Sequence, residues 1–364
     1  MKIGIIGGGA SGSYLAIRLK ELNPDFSVSI IEKNDKLLKK VAVTGNGRCN
    51  YANMGDLTNK YNNNFANKLL YSFSPKDIVE TFERFGIHPT YLDELVFPVS
   101  MSAQTVVMMF EKRLKQLDVS VHLSEEVLDY KNTRDGYLLK TNKNDYLFDA
   151  LVFSAGGKAY PQLGTNGAIL DMLAKHGYNI KELSPSLSPI QVRENVKKIS
   201  GQRVKCLVSL YSDNKLAYQE DGEVLFKDEG ISGIVILNMS QKINSLSSKN
   251  NVYLSLDLAK GYGDISEDDY EQYVTPKIAV YLKEHHLDIH ALKYTFKSFY
   301  DYNIAEVSHG GLSLDSITPN LESKSEKNVY FTGELLDIDG MCGGFNLMFA
   351  FASAEKVANS IQDF

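Results

Sequence analysis

The first thirty residues alternate between short apolar runs and a helical spacing of hydrophobic positions. Lys2–Ile6 is an apolar run of the kind that forms a strand buried on both faces. Ser13–Leu22 has leucine and alanine at helical spacing, and Asn23-Pro24 ends that pattern. Phe26–Ile31 then alternates like a second strand. This order predicts a βαβ unit with two parallel strands.

Later apolar runs predict more strands and helices. Tyr146–Gly157 and Asn328–Gly340 are predicted as buried strands that end in glycine, and Gly343–Ile361 is predicted as a helix. A change of pattern near Pro185 and Pro189 marks a boundary. Beyond it, three segments alternate like antiparallel strands: Gln202–Ser212, Lys215–Phe226 and Asn251–Ala259. The segment that follows, Asp264–Tyr300, is predicted to be helical.

Composition narrows the class of protein. The 364 residues are 43% apolar and 23% charged, which is ordinary for a soluble protein of two to three domains. A net charge of −6 argues against a protein that coats nucleic acid by charge alone. The three distant cysteines suit a reducing compartment and lack zinc-ligand spacing. We find no signal-peptide pattern and no membrane span, so we expect a cytoplasmic enzyme without a metal or membrane partner.

The glycines of the first turn are typical of a dinucleotide site. Gly7 would make the turn, Gly9 would let a pyrophosphate approach the backbone, and Gly12 would let helix and strand pack closely. The helix that follows supplies free N–H groups and a partial positive charge for the phosphates. Glu32 ends the second strand about twenty residues later and can accept the ribose hydroxyls. An acid there disfavours the 2′-phosphate of NADP, so FAD or NAD is expected.

The later strand ends favour FAD. The Ser-Ala-Gly-Gly end of the strand before Gly157 predicts a second close backbone approach. Glu334, after Gly333, can bind the ribityl hydroxyls of a flavin. The first amides of the C-terminal helix would face the pyrimidine edge of the isoalloxazine ring. No second glycine motif in a βαβ context and no Cys-x-x-Cys is present, so a separate NAD(P)H domain and a dithiol relay are not expected.

Four stretches carry a family resemblance. KKVAVTGNGRCNYAN (Lys39–Asn53), GGKAYPQLGTNG (Gly156–Gly167), GEVLFKDEGISG (Gly222–Gly233) and the segment Ala305–Leu347 resemble signatures of the BaiN/YhiN-type family of bacterial flavoproteins, which have a glutathione-reductase-like FAD domain. The sequence departs from the family at Glu94-Leu95, Lys227-Asp228 and Asn46, as expected for a divergent member with its own substrate.

The resemblance implies an α/β fold. A three-layer Rossmann-like FAD-binding domain would be interrupted by an inserted antiparallel β-rich domain with a small helical part. The expected segments are 1–185 and 301–364 for the FAD domain, 186–262 for the β-rich domain and 263–300 for the helical part. We expect the cofactor contacts at Gly7, Gly9, Ala10, Ser11, Gly12, Glu32, Lys33, Thr44, Gly45, Gly47, Arg48, Cys49, Asn50, Val127, Ala155, Gly156, Gly333, Glu334, Gly344, Phe345, Asn346 and Leu347.

Three residues are candidates for catalysis. Cys49 near a flavin could donate a proton to a substrate carbon, or it could be a small buried residue. Arg48 could pair with the pyrophosphate or an anionic substrate, or it could bind loop carbonyls. His309, beside Gly310-Gly311, is a third active-site candidate.

The resemblance implies flavin redox chemistry but leaves the substrate open. The first hypothesis is an NAD(P)H-fed reductase of an electron-poor C=C bond, such as a uridine of ribosomal RNA or a conjugated enone. The second is a flavin oxidase of a small amine or amino-ketone that uses O2. Asp228 and Glu229 could then hold an ammonium group, or they could simply form a surface turn. The third is an FAD-stabilised RNA- or protein-binding module without turnover. For RNA, the chain offers a modest basic cluster, which is also typical of a solvated strand face. Its members are Arg193, Lys197, Lys198, Arg203 and Lys205, with Lys36, Lys39 and Lys40 elsewhere.

Overall fold

The computed structural model describes residues 1–249 and 251–362, and it divides into two compact units. Unit 1 comprises Met1–Leu183 and Val307–Phe364, and unit 2 comprises Ser184–Glu306. The chain leaves unit 1 once and returns to it once, so unit 2 is an insertion. The sequence prediction placed the corresponding boundaries after residues 185 and 300.

The strands and helices have the following bounds. The strands are β1 (Lys2–Ile6), β2 (Ser27–Ile31), β3 (Ala52–Asn53), β4 (Pro89–Leu92), β5 (Leu95–Pro98), β6 (Ser120–His122), β7 (Val127–Thr133), β8 (Gly136–Thr141), β9 (Asp145–Phe148), β10 (Ala150–Phe153), β11 (Ile180–Ser186), β12 (Ile190–Val192), β13 (Arg203–Ser212), β14 (Lys215–Lys227), β15 (Gly230–Ser232), β16 (Tyr253–Asp257), β17 (Leu292–Phe299), β18 (Val307–Leu312) and β19 (Val329–Phe331). The α-helices are α1 (Ala10–Leu22), the single turn α2 (Thr44–Gly47), α3 (Asn64–Ser72), α4 (Pro75–Arg84), α5 (Ala103–Gln116), α6 (Ala168–Lys175), α7 (Ile234–Asn244), α8 (Pro276–Glu284) and α9 (Phe345–Gln362). Short 3-10 turns include Val41–Val43, Glu267–Gln272 and Gly333–Leu335.

Unit 1 is built on a parallel five-stranded sheet in the order β19-β10-β1-β2-β6. Helices α1 and α9 pack together in one layer, where the rings of Tyr14 and Phe351 lie 5.4 Å apart. A second layer is the antiparallel sheet β7-β8-β9, in which Phe148 packs against Gly4 of β1. These contacts build three layers, as predicted for the dinucleotide-binding domain.

Unit 2 contains a closed barrel in the order β12-β15-β14-β13-β16-β17. Its strand pairs are antiparallel, and fully buried side chains such as Leu210, Phe226 and Leu254 fill the interior. The barrel interior is therefore a packed core. The predicted fold class, a Rossmann-like domain with an inserted antiparallel β-rich domain, is confirmed.

The helical prediction for Asp264–Tyr300 is wrong over its last part. Glu267–Gln272 and α8 are helical, but Leu292–Phe299 forms β17, which pairs with β16 and β12 and closes the barrel. These partners lie far away in sequence, so this pairing depends on tertiary contacts that a local pattern does not show.

Within residues 1–249 and 251–362, no helix combines the length and apolar character that membrane crossing requires.

Candidate active site

The glycine loop after β1 has the geometry of a phosphate cradle. A Cβ on Gly12 would lie 2.0 Å from the Gly7 carbonyl oxygen, so only glycine fits where α1 passes the strand end. A Cβ on Gly9 would meet nothing within 4 Å, so this side of the loop is open. Gly9 is the N-cap of α1 and no side chain caps the helix, so the amides of Ala10 and Ser11 have no side-chain acceptor. The loop therefore offers room and N–H donors for an anion.

Glu32 lies beside this loop and is 8% exposed. The Gly8 N–H donates to Glu32 Oε2 (2.7 Å), and the backbone and side-chain N–H groups of Asn34 donate to Oε1 (both 2.8 Å). Each carboxylate oxygen has several acceptor positions, so the fixed group can still accept a ribose hydroxyl.

Two further predicted contacts flank Glu32. Lys33 donates to Asn166 Oδ1 (2.8 Å), and partial burial lowers the pKa of its ammonium group. Val127 starts β7, two residues after Glu125, whose N–H donates to the Glu32 carbonyl (2.9 Å). Lys33 directly follows Glu32 in the chain, and Val127 lies two residues after the backbone hydrogen bond to Glu32.

The C-terminal strand end meets the glycine loop. Gly333 has φ +68°, and a Cβ there would lie 2.6 Å from Ser11 Oγ at the start of α1. On the other side, a Cβ on Gly7 would lie 2.9 Å from the Cα of Ala155, which precedes Gly156. The structure therefore brings three segments predicted independently from sequence to one edge of the parallel sheet.

Glu334 is engaged through both of its carboxylate oxygens. The Ser308 N–H donates to Oε1 (2.9 Å), and Lys40 Nζ lies 2.6 Å from Oε2. Lys40 and Glu334 are 22% and 18% exposed. Sequence reasoning placed Lys40 only in a basic group and missed this ion pair. Lys40 lies in the loop after β2 and Glu334 follows β19, so no local sequence pattern predicts that these two side chains form an ion pair.

The loop at residues 44–48 is a second exposed surface of unit 1. Gly45, Asn46 and Gly47 all have positive φ, and residues 45–48 are exposed. Thr44 Oγ1 donates to the Val41 carbonyl (2.8 Å), which fixes the start of the loop. The Arg48 guanidinium makes no ion pair or hydrogen bond to any other side chain that the structure describes. Both roles considered for Arg48, pairing with an anion and binding of loop carbonyls, stay predictions.

Cys49 lies at the inner end of this loop. Its side chain is fully buried, and burial raises the pKa of the thiol to about 12, with Thr44 as a hydrogen-bond partner. These features favour the packing role over the catalytic one, and the catalytic role stays a prediction.

The start of α9 is held by polar side chains from the segment after the 44–48 loop. Asn50, with its amide oriented to satisfy its neighbours, donates to the Ala52 carbonyl (2.8 Å) and accepts from the Gly344 N–H (3.2 Å). The Tyr61 hydroxyl donates to the Phe345 carbonyl (2.7 Å). These bonds fix where α9 begins, while Leu347 stays partly exposed.

Asn346 anchors the loop that precedes α9. Its side chain accepts from the Gly340 N–H (2.8 Å) and donates to the Gly340 carbonyl (2.9 Å). The Asn346 side chain therefore holds the Gly340 backbone, and its cofactor contact stays a prediction.

A histidine–aspartate pair lies next to this anchor. His309 Nδ1 is 2.8 Å from Asp339 Oδ1, and Asp339 is fully buried. Asp337 lies nearby, and burial raises the pKa of its carboxyl group while His309 opposes the rise. Sequence reasoning named His309 but missed both aspartates, although Asp337 and Asp339 lie just before Gly340 in the C-terminal signature.

The donors and acceptors suit a dinucleotide and give no sign of a metal centre. In the part of the chain that the structure describes, no group of three or more His, Cys, Asp or Glu side chains is placed to hold a metal ion. The open Gly9, the uncapped α1 and the fixed Glu32 match a pyrophosphate and its ribose. The arrangement can therefore hold a dinucleotide.

Comparison with known proteins agrees with this geometry. The chain is 27% identical to the 3-dehydro-bile acid delta(4,6)-reductase of Clostridium scindens, over 97% of both chains. It is 23% identical to the ribosomal RNA dihydrouridine synthase of Escherichia coli, over 98% of this chain and 97% of that protein. In fold it is similar to the 3-ketosteroid delta1-dehydrogenase of Sterolibacterium denitrificans, with a TM-score of 0.53, 12% identity and 99% of both chains covered.

A family model matches nearly the whole chain. The match to the family described as "HI0933-like protein Rossmann domain" covers residues 1–360. The relatives and structural neighbours are oxidoreductases, so the prediction of a flavoprotein-type oxidoreductase is confirmed. The resemblance inferred from the four signatures is confirmed as well, and the chain belongs to the HI0933-like family of Rossmann-domain oxidoreductases.

Proposed function

We propose that this protein is an FAD-dependent reductase of a C=C bond conjugated to a carbonyl group, with a reduced nicotinamide as electron donor. The observation that carries the proposal is the convergence at one sheet edge of the open Gly9 loop, the Ala155-Gly156 strand end and the Gly333-Glu334 strand end. FAD when bound would supply hydride-transfer chemistry at this edge.

The residues divide the work of holding FAD. The amides at the start of α1 would bind the pyrophosphate, and Glu32 would accept the ribose hydroxyls of the adenosine. Glu334, which is held by Ser308 and Lys40, would bind the ribityl hydroxyls. The amides at the start of α9 would favour negative charge on the pyrimidine edge of the flavin. Arg48 would pair with the pyrophosphate or with an anionic substrate group.

The reaction type is supported by the names of two relatives. One is named a delta(4,6)-reductase of a bile acid, and the other is named for making dihydrouridine in ribosomal RNA. Both names describe the addition of hydrogen to a ring double bond. We infer that this chain catalyses the same type of step.

A small enone fits the charge distribution better than RNA. Of the basic residues considered for RNA, Lys198 pairs with Glu284 (2.8 Å) and Arg203 pairs with Glu223 (2.5 Å). Ion pairing removes much of the positive potential that phosphate binding needs. With a net charge of −6 for the chain, we propose a small-molecule substrate.

An anaerobic titration tests the proposed function. Purified protein loaded with FAD is mixed with NADH or NADPH without oxygen, and the visible flavin band is followed. Bleaching by either donor, followed by recovery of the band when 2-cyclohexen-1-one or a 4-en-3-one steroid is added, is the expected result. Recovery only with a uridine-containing ribosomal RNA fragment would contradict the substrate class. A band that bleaches only with small amines would indicate the oxidase, and a protein that does not bind FAD would contradict the proposal.

A further inference from the structure

We propose that Lys40 is a further cofactor-binding residue, whose ammonium group donates to FAD from beside Glu334 and favours the reduced form of the cofactor. The inference rests on the proposed function and adds a residue to the same site. Its geometric basis is the ion pair between Lys40 Nζ and Glu334 Oε2, which lie 2.6 Å apart.

This ion pair connects segments from the two sides of the proposed cofactor edge. Lys40 lies in the loop after β2, and Glu334 follows β19. In the parallel sheet, β1 and β10 lie between these two strands. The glycine loop follows β1, and Ala155-Gly156 follows β10. The pair therefore joins the segments that flank the two strand ends at which the cofactor is proposed to bind.

Described contacts place both partners at these strand ends. In the segment that leads to Lys40, the Leu38 N–H donates to the Gly8 carbonyl of the glycine loop (3.0 Å). A Cβ on Gly157, in the segment after β10, would lie 3.2 Å from Glu334 Oε1. The main chain before Lys40 is thus held at the glycine loop, while the Lys40 side chain reaches a carboxylate beside the end of β10.

The ammonium group of Lys40 has open hydrogen-bond donors. A lysine ammonium carries three N–H donors and no acceptor. Within residues 1–249 and 251–362, the acceptor bonded to Lys40 Nζ is Glu334 Oε2, and the structure gives this ammonium group no second acceptor. Two N–H donors therefore remain for a ligand that has oxygen or nitrogen acceptors.

Burial separates this ion pair from the surface pairs. Both of its side chains are less exposed than their counterparts in every other lysine–carboxylate pair that the structure describes. In the neighbouring pair, Lys39 and Asp35 are 31% and 65% exposed. Removing an ammonium group from water costs free energy that one ion pair recovers only in part. A partly buried ammonium group with open donors is therefore suited to a polar ligand.

The charges of the pair determine how it acts on FAD. The ribityl hydroxyls and the carbonyl oxygens of FAD are acceptors for an ammonium group. Two-electron reduction by the proposed nicotinamide donor adds negative charge to the cofactor, and a nearby cation stabilises that charge. Glu334 alone would oppose it, but the Lys40 ammonium group balances the carboxylate. Lys40 therefore favours binding of FAD in general and of its reduced form in particular.

The first test uses the wild-type protein. Trace acetylation of lysines with acetic anhydride, followed by mass spectrometry, is carried out with and without FAD. FAD should slow the acetylation of Lys40, because the cofactor covers the ammonium group. Lys39 is the internal control, since it lies next in the chain and pairs with Asp35 (2.7 Å), and its acetylation should not change. Equal acetylation of Lys40 with and without FAD would overturn the proposal.

The second test measures FAD affinity by flavin fluorescence titration. Lys40→Met keeps the length of the side chain and removes its charge, so the Kd for FAD should rise by about tenfold or more. The matched control, Lys39→Met, should bind FAD like the wild type. In a Glu334→Gln background, Lys40→Met should weaken binding further. No further loss in that background would show that Lys40 only holds Glu334, and would overturn the direct contact.

The third test measures the midpoint potential of the bound flavin against a reference dye. Lys40→Met should lower the potential by about 30 mV, which corresponds to a tenfold loss of preference for the reduced form in a two-electron couple. Lys40→Arg keeps the charge and should stay closer to the wild-type potential than Lys40→Met does. Equal potentials for wild type and Lys40→Met would overturn the preference for the reduced form.

The outcomes distinguish the two proposals. A wild type that binds FAD and is reduced by the nicotinamide, with unchanged affinity and potential in Lys40→Met, would overturn the role of Lys40 and leave the proposed function intact. A wild type that binds no FAD would overturn the proposed function. If Lys40→Met fails to fold, the acetylation of the wild-type protein still decides whether FAD covers Lys40.

Discussion

The two units use their most constrained glycines differently. In unit 2, a Cβ on Gly230 would lie 2.0 Å from the Ile190 carbonyl, and one on Gly233 would lie 2.1 Å from the Glu223 carbonyl. These glycines let barrel strands and α7 pack closely. In unit 1, Gly12 makes a similar close approach, but Gly9 faces open space at an uncapped helix. Close packing alone does not indicate a ligand; open space next to unsatisfied N–H donors does.

The largest expected effect is on stability, and it tests whether the barrel core stabilises the fold without contributing to FAD binding. Phe226 is 1% exposed inside the barrel, so Phe226→Ala should cost about 3–5 kcal/mol in the free energy of unfolding. FAD should stay bound below the unfolding transition, because the proposed contacts all lie in unit 1. Chemical denaturation followed by circular dichroism and flavin fluorescence measures both. Leu216→Ala, at an exposed barrel position, is the control and should change stability little. FAD release by a folded Phe226→Ala protein would contradict the assignment.

A pair of glycine variants compares the same steric clash in both units. Gly12→Ala and Gly230→Ala each place a methyl group 2.0 Å from a backbone oxygen, so each should cost about 1–3 kcal/mol in stability. Only Gly12→Ala should weaken FAD binding, since only its clash displaces the phosphate loop. Thermal unfolding and flavin fluorescence titration check this. Equal FAD affinity for the two variants would contradict the assignment of the cofactor loop to unit 1.

Replacing Glu32 sharpens the comparison within unit 1. Glu32→Gln removes a charged acceptor, so FAD affinity should fall by about tenfold, or about 1.4 kcal/mol. Glu355 is the control because it is another buried acid, paired with Arg18 (2.8 Å). Glu355→Gln should lower stability and leave FAD affinity unchanged. An unchanged affinity in Glu32→Gln would show that this carboxylate has only its structural bonds to Gly8 and Asn34.

The smallest effect concerns Cys49. Its pKa is raised to about 12, so the folded thiol should resist iodoacetamide at pH 8, whereas the partly exposed Cys342 should react. Above its ordinary value of 9.0 the unfolded thiol ionises while the folded one stays protonated. The contribution of Cys49 to stability should therefore fall as pH rises from 9 to 12. Mass spectrometry of native protein measures labelling, and rapid modification of Cys49 would show that the loop opens.

Local patterns were sufficient for the βαβ unit of the fold. The periodicity of hydrophobic residues alone predicts strand Lys2–Ile6 and the helix after Gly9. The glycines between them are part of a motif that is visible in the sequence. Strand β17 was missed because its partners, β12 and β16, are distant in sequence.

The candidate site shows the same limit. The sequence identified Glu334 and His309 as candidates by residue type. Their partners, Lys40 and Asp339, are brought to them by tertiary packing. Lys40 lies 294 residues from Glu334, and Asp339 lies 30 residues from His309, with β19 between them. Neither spacing follows a helix or strand period, so only the fold pairs these residues.

The most direct test of the account compares Gly9→Ala with Gly263→Ala. Both glycines face open space and neither has a positive φ, so both variants should keep the stability of the wild type to within about 1 kcal/mol. Flavin fluorescence titration should show that Gly9→Ala lowers FAD affinity by about tenfold or more, because the methyl group occupies the space of the pyrophosphate. Gly263→Ala should bind FAD like the wild type. If Gly9→Ala also binds FAD like the wild type, the open space at the start of α1 is not the cofactor site.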